Sequence, residues 1–151
     1  MLRSQVPEDL LDRCRREDEA ARRELFDLIA PDVHRIIWRL AYRDDDPEDL
    51  CQEVFLALWR ALGSYRGEAR FSSFLYGICL NVARRHRRSW ARFSKLRRAV
   101  AEEEPEGPLP ASQVLAQRER ADAVQRALER LSFKARTALV LFEMEGLSGP
   151  E

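Results

Sequence analysis

Apolar residues recur every three or four positions along almost the whole chain, which is the spacing of one face of an α-helix. No stretch alternates strictly for long enough to make a strand, and six glycines in 151 residues are too few to punctuate a set of hairpins. The expected fold is therefore all-α. Leu10, Leu11 and Cys14 make a first short stripe, and Leu25, Phe26, Leu28 and Ile29 make the next. Pro31 follows, and proline suits the first turn of a helix. Val33, Ile36, Ile37, Leu40 and Ala41 thus face one side either of a fresh helix or of one kinked at Pro31.

The run Asp44-Asp45-Asp46-Pro47-Glu48-Asp49 reads as a turn and a helix start. Asp46 is placed to cap, Pro47 fits the first helical position, and the following acids suit the positive end of the helix dipole. The pattern predicts a helix from about Pro47 to Leu62, stopped by Gly63. Leu50, Cys51, Val54, Phe55, Leu58 and Leu62 form its apolar face, leaving Asp49, Gln52, Glu53 and Arg60 on the other side. Ser64 to Ala69 is a short polar loop, and a second strong helix starts near Arg70 with Phe71, Phe74, Leu75, Ile78, Cys79 and Val82 on one face. Past Val82 that helix leaves the core and presents Arg84, Arg85, His86, Arg87 and Arg88.

Residues 102–110 hold three prolines, one glycine and four glutamates, a composition that cannot bury a core. It divides the chain into a first helical domain over 1–98, an acidic Pro-rich linker over 99–110 and a second helical domain over 111–151. In the second, Ala111 to Leu131 is helical, Ser132 caps a further helix carrying Leu139, Val140 and Phe142, and Gly146 ends it. Ser148-Gly149-Pro150-Glu151 resembles the start of one more helix, so the chain is expected to be truncated there.

Composition narrows the possibilities. With 45% hydrophobic and 34% charged residues the chain is globular, and no apolar run approaches the roughly 18–20 residues of a membrane helix. The N-terminus lacks the layout of a signal peptide, so a cytoplasmic protein without membrane insertion is expected. Cys14, Cys51 and Cys79 are odd in number, form no C-x-x-C pair and fall on apolar helical positions, which makes them reduced core thiols. His34 and His86 are the two histidines, too few for zinc or di-iron spacing, so no metal and no cofactor are expected. Nor is there a Gly-rich phosphate loop, a nucleophile–base pair or a carboxylate pair framed by a cleft; an enzyme is not expected.

Net charge is zero but unevenly spread. Residues 1–83 carry 12 basic and 16 acidic side chains, residues 84–98 carry eight basic and no acidic ones, and residues 99–151 carry six and ten. Dipole complementarity at a helix end fades within one turn, so eight uninterrupted cations beside Trp90 and Phe93 exceed it. Phosphate attraction and base stacking account for them better, with Arg84, Arg85 and Arg88 best placed. Lys95 and Lys134 are the only lysines, for which codon bias in a GC-rich genome is the plain source. Asp49, Gln52 and Glu53 lie at i, i+3 and i+4 and form one polar patch beside an apolar ridge. An ordinary solvated helix face is the alternative. Phe55, Phe71 and Phe74 read as core, while Trp59 and Tyr76 stay open between core and interface.

Three stretches then resemble the bacterial extracytoplasmic-function (ECF) sigma factors, the small two-domain specificity subunits of RNA polymerase. Asp46-Pro47-Glu48-Asp49-Leu50-Cys51-Gln52-Glu53-Val54-Phe55-Leu56-Ala57-Leu58-Trp59 is similar to the family's D-x-E-D-L-x-Q-E-V-F-x-x-x-W. Tyr65 to Asn81 resembles F-R-G-x-x-x-F-x-T-W-L-Y-x-I-A-x-N, with Phe74 in place of the common Trp, Ser73 in place of Thr and Gly77 where a longer side chain is usual. Ala127 to Leu131 followed by Glu143 to Ser148 resembles the opening of the C-terminal helix-turn-helix domain, whose second DNA-reading helix would follow Glu151. The resemblance implies that Asp49, Gln52 and Glu53 dock on the clamp helices of the largest subunit of core RNA polymerase. It implies that the loop Ser64–Arg70, including Tyr65, Arg66 and Gly67, recognises promoter DNA at the −10 element with an unstacked base in a pocket, and that Asn81 contacts DNA. It also implies a linker threaded into the RNA channels and an anti-sigma factor that holds the protein inactive. The rival reading is a helical DNA-binding regulator acting without polymerase. Limited proteolysis of the free chain is expected to cut first between Glu102 and Ala111; protection there, with cleavage inside 47–62, would contradict the boundary.

Overall fold

The structure, a computed structural model, describes residues 5–42, 45–98 and 114–145. The expected linker at 99–110, Asp44 and the terminal capping signal lie outside the described residues, as do the side chains of Trp90 and Phe93. Among the described residues there are six α-helices and no strand, so the fold is all-α as expected. They are α1 (Glu8–Arg15), α2 (Glu19–Leu40), α3 (Pro47–Ala61), α4 (Phe71–Arg98), α5 (Val114–Glu129) and α6 (Phe133–Glu145).

Local signals in the sequence set these boundaries. Between α1 and α2, Glu17 adopts a left-handed φ of 64°, which turns the chain so that Asp18 can cap α2. The Asp18 carboxylate accepts from the backbone N–H groups of Ala20 and Ala21 at 2.9 and 3.1 Å and from Arg13 Nε at 3.2 Å. The backbone donor of Ala21 leads in holding its carboxyl below the usual range, with Arg13 adding to it. At α3, Asp46 accepts from the N–H of Glu48 at 2.9 Å, and Pro47 fills the first helical position. The helix ends at Ala61 and passes into a 3₁₀ turn over Leu62–Ser64.

Of the two arrangements open at Pro31, the continuous helix is the one adopted: α2 runs through it for 22 residues. Proline removes the donor for the carbonyl of Asp27, and both residues are exposed, so water can serve that oxygen.

Helix α2 is the centre of the packing and touches α1, α3, α4 and α6. Ala21, Leu25, Ile29, Val33, Ile36, Ile37 and Leu40 are buried along one side of it. Fully burying a Leu or Ile contributes roughly 1.5–3 kcal/mol, so this stripe is a large share of the core's stabilisation. Phe26 is the exposed one among the expected apolar positions of α2: it is 43% exposed, its ring 4.4 Å from Phe55, because a step of one residue from Leu25 turns it away from the core; on α6 the expected Leu139 and Phe142 are exposed too, and Val140 alone of the three is buried. The Asp32 carboxylate, 2% exposed, is paired with Arg35 Nη2 at 2.5 Å.

Phe55 and Phe71 are buried and Phe74 packs half-buried against the same core. Tyr76, left open by the sequence, is a core residue whose hydroxyl donates to the carbonyl of Thr137 at 3.4 Å; Trp59 is half-buried under the guanidinium of Arg22. Nothing lies within 4 Å of where a Cβ on Gly77 would stand, so no close backbone approach requires that glycine. All three cysteines are free and buried, as expected. Burial, with the charge of Glu48, pushes the Cys51 thiol up to about 11, and burial raises Cys14 and Cys79 too.

The helices on the two sides of residues 99–113 touch each other. Val140 of α6 joins the core cluster, and Arg136 is completely buried. Its guanidinium donates from Nε to the carbonyl of Arg39 and from Nη2 to that of Ala41, both at 2.7 Å, and lies 4.7 Å from the Tyr42 ring. The Gln125 amide reaches the Ala41 carbonyl as well, at 2.6 Å. The last carbonyls of a helix have no intrahelical donor and sit at its negative end, so a cation from α6 both satisfies and neutralises them. Arg136→Ala should therefore lower the unfolding free energy by about 1–3 kcal/mol, because the Arg39 carbonyl loses its donor and the Ala41 carbonyl keeps only Gln125, read as a lower urea midpoint. An unchanged midpoint would contradict that role.

Candidate functional site

The outer face of α3 carries the first group of expected site residues. Asp49 and Gln52 are exposed, and Glu53 is half-exposed. All three lie opposite the buried Leu50, Val54 and Leu58, so the core makes no use of them. The structure adds Leu56, 55% exposed one turn beyond Gln52 and Glu53, which gives the patch an apolar edge. The signal was available in the sequence: Leu56 stands four residues after Gln52, on the polar side of the helix.

The second group is the loop before α4. Gly67 has φ +76°, a conformation that L side chains rarely adopt. Tyr65 is half-buried, and its hydroxyl donates to the carbonyl of Ala69 at 2.7 Å. Its ring lies 4.8 Å from Phe74 and 5.7 Å from Phe71, with the Arg15 guanidinium 5.5 Å from its centre. Burial leads in raising its phenol above the ordinary value. Tyr65 thus anchors the loop to the core. Ser64 donates to the carbonyl of Ala61 at 2.7 Å, and Arg66 and Arg70 are exposed. The loop bounds a concavity of about 520 Å³ lined by Ser64, Tyr65, Arg66, Glu68, Ala69, Ser73 and Phe74. Glu68 has no individual mark in the sequence and Ser73 is marked only as a departure from the motif; they are lining residues because the turn at Gly67 brings the loop over the start of α4.

The third group lies further along α4. Asn81, Arg84, Arg85 and Arg88 are exposed and fall at i, i+3, i+4 and i+7, one continuous face. His86 and Arg87, between them, turn inward. His86 Nδ1 stands 3.1 Å from a carboxylate oxygen of Asp45, and the Arg87 guanidinium lies 5.0 Å from the ring centre of Tyr42 and 5.4 Å from that of Phe133. A rise of 1.5 Å per residue puts Arg84 roughly 20 Å along the axis from the loop. The expected DNA residues therefore form two separate surfaces, with Asn81 beside the cations. Arg85 Nη2 also meets Glu53 of the α3 patch at 2.8 Å.

Residues 25–93, which hold the α3 face, the loop and the first part of the cationic end of α4, match the family model for Sigma-70 region 2. The ECF RNA polymerase sigma factor SigM of Mycobacterium tuberculosis is 37% identical over 137 residues, 85% of this chain and 64% of the relative. The RNA polymerase sigma-H factor of Pseudomonas aeruginosa is 31% identical over 166 residues, covering 98% of this chain and 81% of the relative. The ECF RNA polymerase sigma-E factor of Escherichia coli K12 is 31% identical over 151 residues, covering 94% and 78%. A solved structure of CnrH in complex with the cytosolic domain of CnrY shares the fold, with a TM-score of 0.63 at 20% identity over 93% of this chain and 75% of that one. The chain belongs to the ECF RNA polymerase sigma factors. It spans just under two thirds of the length of the M. tuberculosis relative.

Gly67→Ala should strain the loop by roughly 1–2 kcal/mol, because the left-handed conformation brings a Cβ against the backbone. The expected result is a lower melting temperature together with faster hydrogen exchange at the amides of 65–70; exchange unchanged from wild type would contradict the anchoring described.

Proposed function

We propose that this sigma factor binds core RNA polymerase through the outer face of α3 and directs recognition and melting of the promoter −10 element. The observation that carries the proposal is a pair of chemically distinct exposed polar surfaces within the family-matched segment: Asp49, Gln52 and Glu53 on α3, and Asn81, Arg84, Arg85 and Arg88 on α4. Carboxylates and an amide are acceptors suited to donor side chains of a protein partner, the polymerase clamp helices in this reading. Arginines suit the phosphate backbone, which supplies affinity without sequence information. The concavity beside Ser64, Tyr65 and Arg66 takes an unstacked base, whose extrusion costs a few kcal/mol that hydrogen bonds in a preformed pocket offset. Arg70, at the entrance to α4, guides the strand toward it.

Control by an anti-sigma factor belongs to the same proposal, supported by the fold neighbour CnrH having been solved with the cytosolic domain of another protein. The cytoplasm is the compartment where these partners meet; among the described residues no helix is long and apolar enough to cross a membrane.

The test is core binding by the Gln52→Ala, Glu53→Ala double variant. Neither side chain packs in the core, so helicity by circular dichroism should be unchanged while affinity for core enzyme falls about tenfold or more, since removing a hydrogen bond to a charged group costs about 1.5–3 kcal/mol. Unchanged affinity would overturn the α3 assignment. Sequence-specific binding of duplex DNA by the free chain, undiminished in that variant, would favour a regulator acting without polymerase.

A further inference from the structure

The ion pair between Glu53 and Arg85 joins two surfaces assigned to different partners. Glu53 is on α3 among the residues placed against polymerase, Arg85 is on α4 among those placed against phosphates, and Arg85 Nη2 stands 2.8 Å from Glu53 Oε2. Neither group is buried: the side chains are 70% exposed for Arg85 and 43% for Glu53, so each is accessible to a ligand that competes for it. Arg84 and Arg88 flank Arg85 on the same face of α4, so a phosphate chain following these arginines runs onto the Glu53 carboxylate. That carboxylate opposes the strand in two ways, by occupying the Arg85 donors and by repelling the phosphates.

We propose that this pair is an interlock: a partner that engages Glu53 releases Arg85 to nucleic acid, and departure of the partner returns Arg85 to Glu53. The inference rests on the reading of the α3 and α4 surfaces given above and adds a coupling between them. Coupling of this kind is reciprocal, so what binds at Glu53 strengthens binding at Arg85 by the same factor that the reverse applies. Its size is bounded by what an exposed ion pair is worth, which corresponds to a factor of about 1.5 to 5. The interlock is therefore a bias of the free protein away from DNA rather than an all-or-none gate.

The measurement is a double-mutant cycle on the full chain, with Glu53→Gln, Arg85→Gln and both together, titrated against labelled oligo(dT) at low salt without polymerase. Glu53→Gln should raise affinity about 1.5- to 5-fold. Arg85→Gln should cost more in the Glu53→Gln background than in wild type, by the part of that factor that comes from freeing the Arg85 donors rather than from removing repulsion. An equal cost in both backgrounds means that Glu53 acts only as a distant charge, which overturns the interlock while leaving Arg85 as a phosphate ligand. If Arg85→Gln has no effect even beside Glu53→Gln, Arg85 does not meet nucleic acid, and the interlock falls together with that part of the proposed function. On the other side of the cycle, Arg85→Gln alone should raise affinity for core enzyme about 1.5- to 5-fold; no gain would also overturn it.

Discussion

Seven apolar side chains on one face of α2 are buried, and α1, α3, α4 and α6 all touch that helix. This packing decides which faces remain for function. Once Leu50, Val54 and Leu58 of α3 and Leu75, Cys79 and Val82 of α4 are committed to the interior, the helical period leaves Asp49, Gln52 and Glu53 on one outer face and Asn81, Arg84, Arg85 and Arg88 on the other. The two surfaces adjoin because their helices are neighbours, and the Glu53–Arg85 pair marks the line where they meet.

Arginine has at least two separate uses in this molecule. Arg136 and Arg87 point inward, where a flat guanidinium lies over the Tyr42 ring, and in Arg136 it also donates to the carbonyls ending α2. Lysine offers neither the planar stacking surface nor the forked donors. Arg84, Arg85 and Arg88 are exposed and present the same fork at the surface. Codon bias alone accounts for an excess of arginine, but it does not explain which positions use the planarity. The structure places that use at the junction of α2, α4 and α6 and, through Arg15 on Tyr65 and Arg22 on Trp59, beside the loop and α3.

Most of the fold is legible in the sequence because its signals are local. Asp46 and Pro47 announce the start of α3, and the stripes of α3 and α4 follow the expected period with Phe74 alone only half-buried. The family itself is legible from the motifs on those two helices. What the sequence leaves open depends on interactions between distant residues. Periodicity cannot say whether Pro31 starts a helix or sits within one, because both keep the same apolar face. Nothing near Arg136 in the chain announces that it is buried against carbonyls 95 and 97 residues away. Tyr65 reads as a polar loop residue until Phe71, Phe74 and Arg15 are placed around its ring. Each candidate residue can be picked out from its motif; the division into two surfaces roughly 20 Å apart along α4, and the pairing of Glu53 with Arg85, require the folded helices.

The central claim is a division of labour, in which the loop at 64–70 reads bases while the α4 arginines hold phosphates. Its most direct test compares variants of the two surfaces in holoenzyme assembled on core polymerase, titrated with −10 oligonucleotides of varied sequence at several salt concentrations. Replacing Arg84 or Arg88 should weaken binding to all sequences alike and flatten the salt dependence, by about 0.7 of a unit of slope for each single-strand phosphate no longer neutralised. Replacing Ser64 or Glu68 should instead redistribute preference among sequences and leave the slope nearly unchanged, with each base-edge hydrogen bond worth about 1–3 kcal/mol. Loop variants that keep the wild-type base preference, or arginine variants that alter it, would contradict the account.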